Sequence, residues 1–497
     1  MATAILRLTE TPLPAAAPEF SVRRFAASFF LMAGALCALS IFLQIALALL
    51  IAVPLLAVWF WKQPVRGVYF LTAGAAMIEI FPLNFPDSIT DRVPLFLNLN
   101  NSAGLTGLSI TPAEILMLTI ALVAIARASA EGGLHWPGGR IVAAYCVYVA
   151  VVLGAEVHGL LAGGDFKTSL WEIRPQVYGF ILFFMTTTLV VDRAQLKRLA
   201  IVFLLAVSVK AVLGDFRYFV TLQGNVGSQL EVLAHEDSYF LALFFAAGLA
   251  AVIWLKDRRI VIPMAVMSAV VLVAMLANSR RAGVYALAAG VVVVMLLAYR
   301  FEPELRKRIA WISVAMLIVG AVFLSYGWDK QYGIQAQLVR PIRSLVDPTA
   351  RDFSSDLYRT AETANLLFTF RTSPIVGVGF GQPFDIVQPM ADISNIYPLW
   401  NVIPHNSLLW VGMRMGVVGF VAFWGLIGVA VLEGFDVMRR RDPLIRAVAA
   451  VCIAAVAAEI AVAYVDIQLE NYRNLILLGV VLGILNRLSR MPEAQDA

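Results

Sequence analysis

Long apolar stretches separated by short charged ones run through this chain of 497 residues. A helix needs about 20 apolar residues to cross roughly 30 Å of hydrocarbon, and such stretches recur from Phe25 almost to the C-terminus. The pattern predicts an all-α, polytopic integral membrane protein of about fourteen membrane-spanning helices. They fall near residues 25-43, 44-61, 66-83, 110-128, 139-160, 171-192, 198-220, 237-255, 259-277, 282-299, 308-326, 407-433, 445-466 and 472-488.

The first two spans depend on how the apolar run from Phe25 to Trp61 is divided. Two short spans in a tight hairpin fit it, and so does one long tilted helix followed by an interfacial piece. If both spans cross and the N-terminus is cytoplasmic, the basic clusters between later spans all fall inside, as is typical of membrane proteins. The clusters are Lys62/Arg66, Arg127/Arg140, Arg193/Lys197/Arg198, Lys256/Arg258/Arg259, Arg300/Arg306/Lys307/Arg308, Arg439/Arg440/Arg441 and Arg487/Arg490. The positions of the basic clusters therefore favour fourteen spans with both termini in the cytoplasm.

This topology divides the chain into five parts. We expect a cytoplasmic N-terminal segment, retained with the first span as a signal anchor, eleven spans, a periplasmic loop region, three further spans and a cytoplasmic tail. Their bounds are 1-24, 25-326, 327-406, 407-488 and 489-497. The loop region contains the helix-permissive stretch "SDLYRTAETANLLFTF", which we expect to lie at or dip into the membrane surface. One face of that stretch carries Leu357, Ala361, Ala364 and Leu367.

Composition supports the membrane assignment. With 60% hydrophobic and 14% charged residues, the chain has too little polar surface to enclose a water-soluble core. The net charge of +5 follows from lysines and arginines that border the spans, and no basic patch interleaved with aromatic residues predicts a nucleic-acid partner. The cysteines lie inside apolar runs, where we expect buried thiols rather than disulfides or metal ligands; they are Cys37, Cys146 and Cys452.

Several arginines fall on the predicted outer side, against the usual charge distribution. Arg280 and Arg281 lie between two spans in "NSRRAGVYALAAG". Adjacent helical residues point about 100° apart, so at most one faces a given cavity, and each either contacts an anion or anchors the helix at the headgroups. Arg359 precedes "SPIVGVGFG", whose glycines favour a tight turn lining a site, because no soluble strand or Walker lysine accompanies them.

A histidine and an asparagine, His405 and Asn406, stand at the outer mouth of the span that begins near Ser407. A histidine readily accepts and releases a proton near neutral pH. It also fits a helix terminus at which Asn406 or Ser407 is the N-cap, and both interpretations are compatible. Arg414 lies about 13 Å deeper at 1.5 Å per residue, so it needs a partner or a water-filled cavity.

Weaker candidates for substrate contact are Arg174, Arg217 and His235, all near the predicted outer face. The acidic residues around His235 lack the spacing of metal ligands, so we expect no metal.

The motifs "NSRRAG", "SPIVGVGFG" after Arg359, and "PHNSLLWVGMRMGVVGF" resemble the bacterial O-antigen ligase and Wzy-type polymerase superfamily in order and spacing. The likeness is sharpest from Leu276 to Phe420. It implies a GT-C-like, metal- and cofactor-independent glycosyltransferase of the bacterial inner membrane. Such an enzyme transfers a glycan, with inversion, from undecaprenyl diphosphate to a hydroxyl of a glycan, of the lipid A core or of another acceptor at the periplasmic face. The product is O-antigen, another surface polysaccharide or an exopolysaccharide.

The resemblance also implies roles for particular residues. Arg280 and Arg359 match the family's diphosphate-binding arginines, and His405 matches the histidine that orients or deprotonates the acceptor. Arg281 competes with Arg280 for the first role, whereas Asn406 and Arg414 are candidates for substrate contact. A polymerase is slightly favoured over a ligase, and a non-enzymatic flippase or transporter of lipid-linked glycan is the alternative. Membrane lipids and other polysaccharide-assembly proteins are the expected partners.

Overall fold

The computed structural model describes residues 29–492, with gaps at 30, 33, 37–44, 81–89, 101–108, 132, 134–135, 225–231, 279, 331–335, 337–338, 340–341, 345, 349 and 396. Regular structure within this part of the chain is helical. The helices are α1 (Ile45–Lys62), α2 (Val65–Met77), α3 (Pro112–Glu131), α4 (Arg140–Leu161), α5 (Phe166–Leu189), α6 (Arg193–Phe216), α7 (Asp237–Ala250), α8 (Arg258–Ala277), α9 (Arg281–Phe301), α10 (Arg306–Gly327), α11 (Ala350–Thr372), α12 (Ser407–Met438), α13 (Pro443–Ala463) and α14 (Tyr472–Leu488). π-Helical turns at Arg217–Thr221 and Ala251–Leu255 extend α6 and α7.

Nine helices of the described residues are long and apolar enough to cross a membrane, which confirms a polytopic membrane protein. They are α3, α4, α6, α7, α8, α9, α10, α12 and α13, counting the π-helical turns with α6 and α7 and Pro303–Leu305 with α10. Each coincides with one of the predicted spans.

The other five predicted spans are less uniform. Helices α1, α2, α5 and α14 occupy four of them, but α2 has 13 residues and α14 has 17, and α5 carries charged residues in its first half. The span predicted at 25-43 lies mostly outside the described residues. The total of fourteen therefore stays a prediction.

Close helix contacts in the centre of the bundle depend on small residues. Helix α14 packs along α5, where a Cβ atom added to Gly479 would lie 2.1 Å from the carbonyl oxygen of Gly179. Helix α9 packs between α7 and α13, and α12 packs on α4. Small residues let membrane helices approach closely enough for dispersion contacts to hold them together. Helix α10, by contrast, is almost wholly exposed at the periphery.

The helix expected in the long loop is confirmed as α11. Its exposed side carries Phe353, Leu357 and Leu367, which fits contact with a membrane surface. The side that packs on the protein is mixed and includes the polar residues Glu362 and Asn365 beside Ala361 and Leu366. The Asn365 amide accepts hydrogen bonds from the N–H groups of residues 387 and 388 at 3.0 and 2.7 Å, which fixes the following loop on α11.

The two ends of the bundle carry different groups. At one end, Arg140 at the start of α4 is 2.6 Å from Glu433 near the end of α12. Arg446 near the start of α13 is 2.6 Å from Glu302, which follows α9. The opposite end, where α7, α9 and α12 begin and α13 ends, we call the site end, because the candidate functional residues converge there.

Candidate functional site

The centre of the candidate site is Asp466, in the loop 464–471 between α13 and α14. Burial alone would raise the pKa of its carboxyl, but the surrounding basic side chains hold the pKa below its ordinary value. In order of decreasing influence they are His235, Arg280, Arg359 and His405. These four residues and Asp466 form what we call the Asp466 cluster. The cluster unites side chains from five separate segments of the sequence, including all three residues singled out by the family resemblance.

His405 is held by a carboxylate of α11. Its backbone N–H donates to Glu362 Oε2 at 3.0 Å, and its Nδ1 lies 3.2 and 3.3 Å from the two Glu362 oxygens. Because a carboxylate accepts hydrogen bonds, this contact places the ring proton on Nδ1 and leaves Nε2 as the proton acceptor. The Glu362 side chain is buried, whereas that of His405 is 26% exposed. The ring is thus fixed on one side and accessible on the other.

Asn406 is confirmed as the N-cap of α12, since its side-chain oxygen accepts from the Leu409 N–H at 3.0 Å. The cap belongs to Asn406 itself, so His405 is not needed to terminate the helix.

Ser407 joins the start of α12 to the loop that carries Asp466. Its hydroxyl is 2.5 Å from Glu470 Oε2 and 3.3 Å from the Asp466 carbonyl oxygen, and it accepts from the Gln468 N–H at 3.0 Å. Burial raises the pKa of Glu470 to about 8, so this acid is protonated at neutral pH and adds no charge. These contacts explain how Asp466 comes to lie beside His405.

The paired arginines diverge, but not as two helical neighbours, because the backbone of Arg280 is extended and the helix begins at Arg281. Arg280 is the N-cap residue of α9, and its guanidinium Nη2 contacts Nε2 of His235. Nη1 of Arg281 instead lies 3.3 Å from Asp356 Oδ1 on α11. The structure therefore brings Arg280 into the Asp466 cluster and directs Arg281 to an ion pair beside it.

Arg359 and Glu362 lie one turn apart on α11, so this helix contributes a basic group and the partner of His405 together. His235, just before α7, places Nδ1 4.0 Å from Asp466 Oδ2.

Arg414 belongs to a different, closed cluster. Its fully buried guanidinium is 2.6 Å from Glu172 Oε1 and donates to the carbonyl oxygens of Gly379 and Val402 at 3.1 and 2.9 Å. The indole of Trp410 donates to the same carboxylate at 2.8 Å. Arg414 thus has the partner that an intramembrane charge requires, and these contacts give it a structural role. We call Glu172, Trp410 and Arg414 the Glu172 cluster.

The glycine-rich segment after α11 forms the expected tight turn. Gly377 and Gly379 have positive φ angles of 75° and 79°, and a Cβ atom on Gly377 would lie 2.3 Å from the carbonyl of Arg414. Gly416, at φ 63° and ψ −162°, breaks α12, and the Gly379 N–H donates to the Arg414 carbonyl oxygen at 3.0 Å. Gly379 also packs against Gly159 of α4. The turn therefore fixes α11, with Arg359, to α4 and α12.

Two weaker candidates lie apart from the groups around Asp466. Arg174 is 3.1 Å from Asn98 Oδ1 and 3.3 Å from Glu114 Oε1. Arg217 is buried at the start of the π-helical turn that extends α6.

Sequence reasoning missed Asp466 and Glu362. Glu362 carries a weak signal, since it follows Arg359 by one helical turn. Asp466 lies in "AYVDIQLENYRN", a polar stretch without a recognisable motif. Both act through partners distant in sequence, so only the folded chain reveals them.

Comparison with known proteins supports the resemblance. Residues 269–424 match the family model described as O-antigen ligase, and no curated protein matches the chain. The match indicates ligase- or polymerase-type activity in polysaccharide assembly. It spans Arg280, Arg359 and His405, whereas His235 and Asp466 lie outside it. The similarity of this chain to the O-antigen ligase and Wzy-type polymerase superfamily is therefore confirmed over residues 269–424.

Proposed function

We propose that the protein is an inverting, metal-independent glycosyltransferase. It transfers a glycan from undecaprenyl diphosphate to an acceptor hydroxyl at the periplasmic face of the inner membrane. The observation that carries the proposal is the Asp466 cluster, in which two arginines and two histidines surround one carboxylate. The two arginines keep their positive charge at every relevant pH, which suits a ligand with more than one negative charge.

Arg280 and Arg359 bind the donor diphosphate. A guanidinium offers a planar fork of donors that matches two phosphate oxygens, and charge-assisted hydrogen bonds of this kind are about twice as strong as neutral ones. The arginines matter most as the bond between C1 of the sugar and the diphosphate breaks, because negative charge then grows on the departing oxygen.

His405 accepts the proton of the acceptor hydroxyl. Its Nε2 is the basic atom, because Glu362 holds the proton of Nδ1. The acceptor oxygen attacks C1 from the face opposite the diphosphate, so one displacement inverts the configuration. The carboxylate of Glu362, in contact with Nδ1, and the nearby negative charge of Asp466 stabilise the imidazolium that forms.

The distribution of charge along the bundle supports a periplasmic site. Arg140, Arg440 and Arg446 lie at the end of the bundle opposite the Asp466 cluster, and basic residues of membrane proteins concentrate on the cytoplasmic side. Both termini are then cytoplasmic.

Cysteine labelling in intact cells tests this topology. We expect a membrane-impermeant reagent to modify a cysteine at Asp347 from outside and to leave a cysteine at Arg258 unmodified. The reverse pattern would put the Asp466 cluster in the cytoplasm, where the proposed reaction could not take place.

The position of the polar groups favours an enzyme over a flippase or transporter. Transporters bind substrate near the bilayer midplane, in broken helices. Here Arg280 and His405 immediately precede α9 and α12, and Asp466 lies in a loop. We favour a polymerase slightly over a ligase, on the number of predicted spans.

Reconstitution tests the proposal directly. The purified protein in liposomes receives a defined undecaprenyl diphosphate-linked repeat unit, with or without lipid A. A ladder of longer lipid-linked glycans without lipid A indicates a polymerase, and a glycan joined to lipid A indicates a ligase. Movement of the donor across the bilayer without any new glycosidic bond would establish the flippase instead.

A further inference from the structure

His235 lies between a basic and an acidic group of the Asp466 cluster. Its Nε2 contacts Nη2 of Arg280, and its Nδ1 is 4.0 Å from Asp466 Oδ2. A guanidinium only donates hydrogen bonds, so Nε2 must accept here. This contact therefore fits a neutral ring whose proton is on Nδ1, on the side of Asp466.

The groups around the ring come from three segments. Arg280 approaches from the start of α9, and Asp466 from the loop 464–471, and Arg359 and His405 also act electrostatically on that carboxylate. The neighbouring acids Glu236 and Asp237 turn toward Arg473 of α14: Asp237 pairs with it directly, and Glu236 lies 3.9 Å away. Among the residues that the structure describes, Asp466 is thus a carboxylate that faces the His235 ring.

A diphosphate at Arg280 would change both contacts of the ring. The Arg280 N–H that now donates to Nε2 would donate to a phosphate oxygen instead. The two negative charges of the diphosphate would then lie beside the imidazole. Release of Nε2 and a nearby anion both favour the protonated ring. Asp466, already in place on the Nδ1 side, stabilises that form further.

We propose that His235 is a proton-dependent contact for the donor diphosphate. It is neutral in the donor-free protein, takes up one proton when the donor binds, and then donates from Nε2 to a phosphate oxygen. This inference rests on the proposed function and deepens it, because it adds a titratable group to the two arginines of fixed charge.

The additional proton serves the transfer step. The C1–oxygen bond breaks with its electron pair left on the diphosphate, while the acceptor oxygen bonds to C1 and its proton moves to His405. The diphosphate gains one unit of negative charge. Because Arg280 and Arg359 keep their charge throughout, the proton already held by His235 is what offsets the gain.

Calorimetry of donor binding tests the inference without any turnover. The full chain in nanodiscs is titrated with a synthetic glycosyl polyprenyl diphosphate, without acceptor, in buffers of different ionisation enthalpy at one neutral pH. This diphosphate is a diester and does not itself titrate near neutrality, so any proton taken up belongs to the protein. We expect uptake of about one proton per donor, and affinity that rises up to about tenfold per unit fall in pH.

The decisive variant is His235→Gln. Glutamine is able to accept from Arg280 and donate to Asp466, but it cannot take up a proton. We expect it to bind the donor without proton uptake and without the pH dependence, whereas the control His158→Gln, at an exposed histidine of α4, keeps both. Unchanged proton uptake in His235→Gln would overturn the inference. Loss of proton uptake in His405→Gln, with uptake retained in His235→Gln, would overturn it too. Donor binding without uptake in the wild type would overturn this inference only, whereas complete absence of donor binding would remove the proposed function as well.

Discussion

Helix α12 connects two clusters of charged side chains that differ in how their charges are satisfied. In the Glu172 cluster, one buried arginine faces one buried carboxylate, and carbonyl oxygens and the Trp410 indole take up further hydrogen bonds. In the Asp466 cluster, one carboxylate faces four basic side chains, of which those of His405 and His235 are 26% and 47% exposed.

The difference shows how a structural charge and a functional charge are told apart inside a membrane protein. A buried ion pair whose hydrogen bonds are complete holds segments of the chain together and offers a ligand no further hydrogen bond. A group that contains two arginines of fixed charge and has partly exposed side chains is arranged to receive an anion. Position along the chain alone does not separate them, because His405 lies just before the N-cap of α12 and Arg414 lies nine residues further on, in the same helix.

We expect the largest effect on the stability of the fold, where substitutions in the Glu172 cluster and in the Asp466 cluster should differ. Arg414→Met should leave Glu172 buried without its partner and destabilise the fold by about 3–5 kcal/mol, so that little folded protein is recovered. Arg280→Met should be recovered at the wild-type level. Folded yield and thermal unfolding in detergent measure both. Normal stability of Arg414→Met together with loss of transfer would move Arg414 into the functional site.

The next effect concerns His405. His405→Ala should lower transfer by about 10²- to 10⁴-fold, the usual contribution of a positioned base, while donor binding persists. His405→Asn should be equally poor, because Asn406 already caps α12 and an amide cannot accept the proton. Transfer is measured in vitro at matched expression, with His158→Ala as control. Near-wild-type turnover by the asparagine variant would exclude the catalytic role.

For Arg359, lysine should be nearly as harmful as alanine, because a single ammonium does not reproduce a two-pronged contact to phosphate oxygens. Either substitution should lower transfer by about 10²- to 10³-fold, as loss of one charge-stabilising donor does elsewhere. Steady-state transfer by both variants is the measurement. Full activity of Arg359→Lys would show that a single positive charge is sufficient at this position.

The smallest effect is expected at Arg281. Its ion pair with Asp356 is partly exposed, so Arg281→Ala should change the free energy of unfolding by less than about 1 kcal/mol and leave transfer near the wild-type rate. The same assays measure it beside Arg280→Ala. If Arg281→Ala abolished transfer while Arg280→Ala did not, the two arginines would exchange roles.

Local features of the site follow from the sequence, and its long-range contacts do not. The helix α11 and the cap at Asn406 depend on neighbouring residues, so periodicity and cap chemistry predict them from the sequence. Arg280 and Arg281 diverge as predicted, but because Arg280 is the extended N-cap residue and not a helical neighbour of Arg281. Arg414 was recognisable as a charge that needs a partner, but Glu172 lies 242 residues away. Glu362 and Asp466 similarly meet His405 only after α11, α12 and α13 have packed.

The face of α11 illustrates the same limit. Its apolar positions predict a membrane-facing side and Leu357 and Leu367 are exposed, yet Ala361 of the same predicted face is buried. Polar residues are buried on the same side as Ala361, because Asn365 binds the following loop and Glu362 binds His405. Hydropathy describes which side chains avoid water, but it does not identify the hydrogen-bond partners that a polar side will find.

The central claim is that Arg280, Arg359 and His405 act on one donor molecule. A cryo-EM structure of the His405→Ala variant with the lipid-linked glycan donor bound tests it most directly. The account predicts the diphosphate within hydrogen-bond distance of both Arg280 and Arg359, with C1 of the sugar facing the vacated position of the imidazole. A diphosphate bound elsewhere, or contacted by neither arginine, would contradict it.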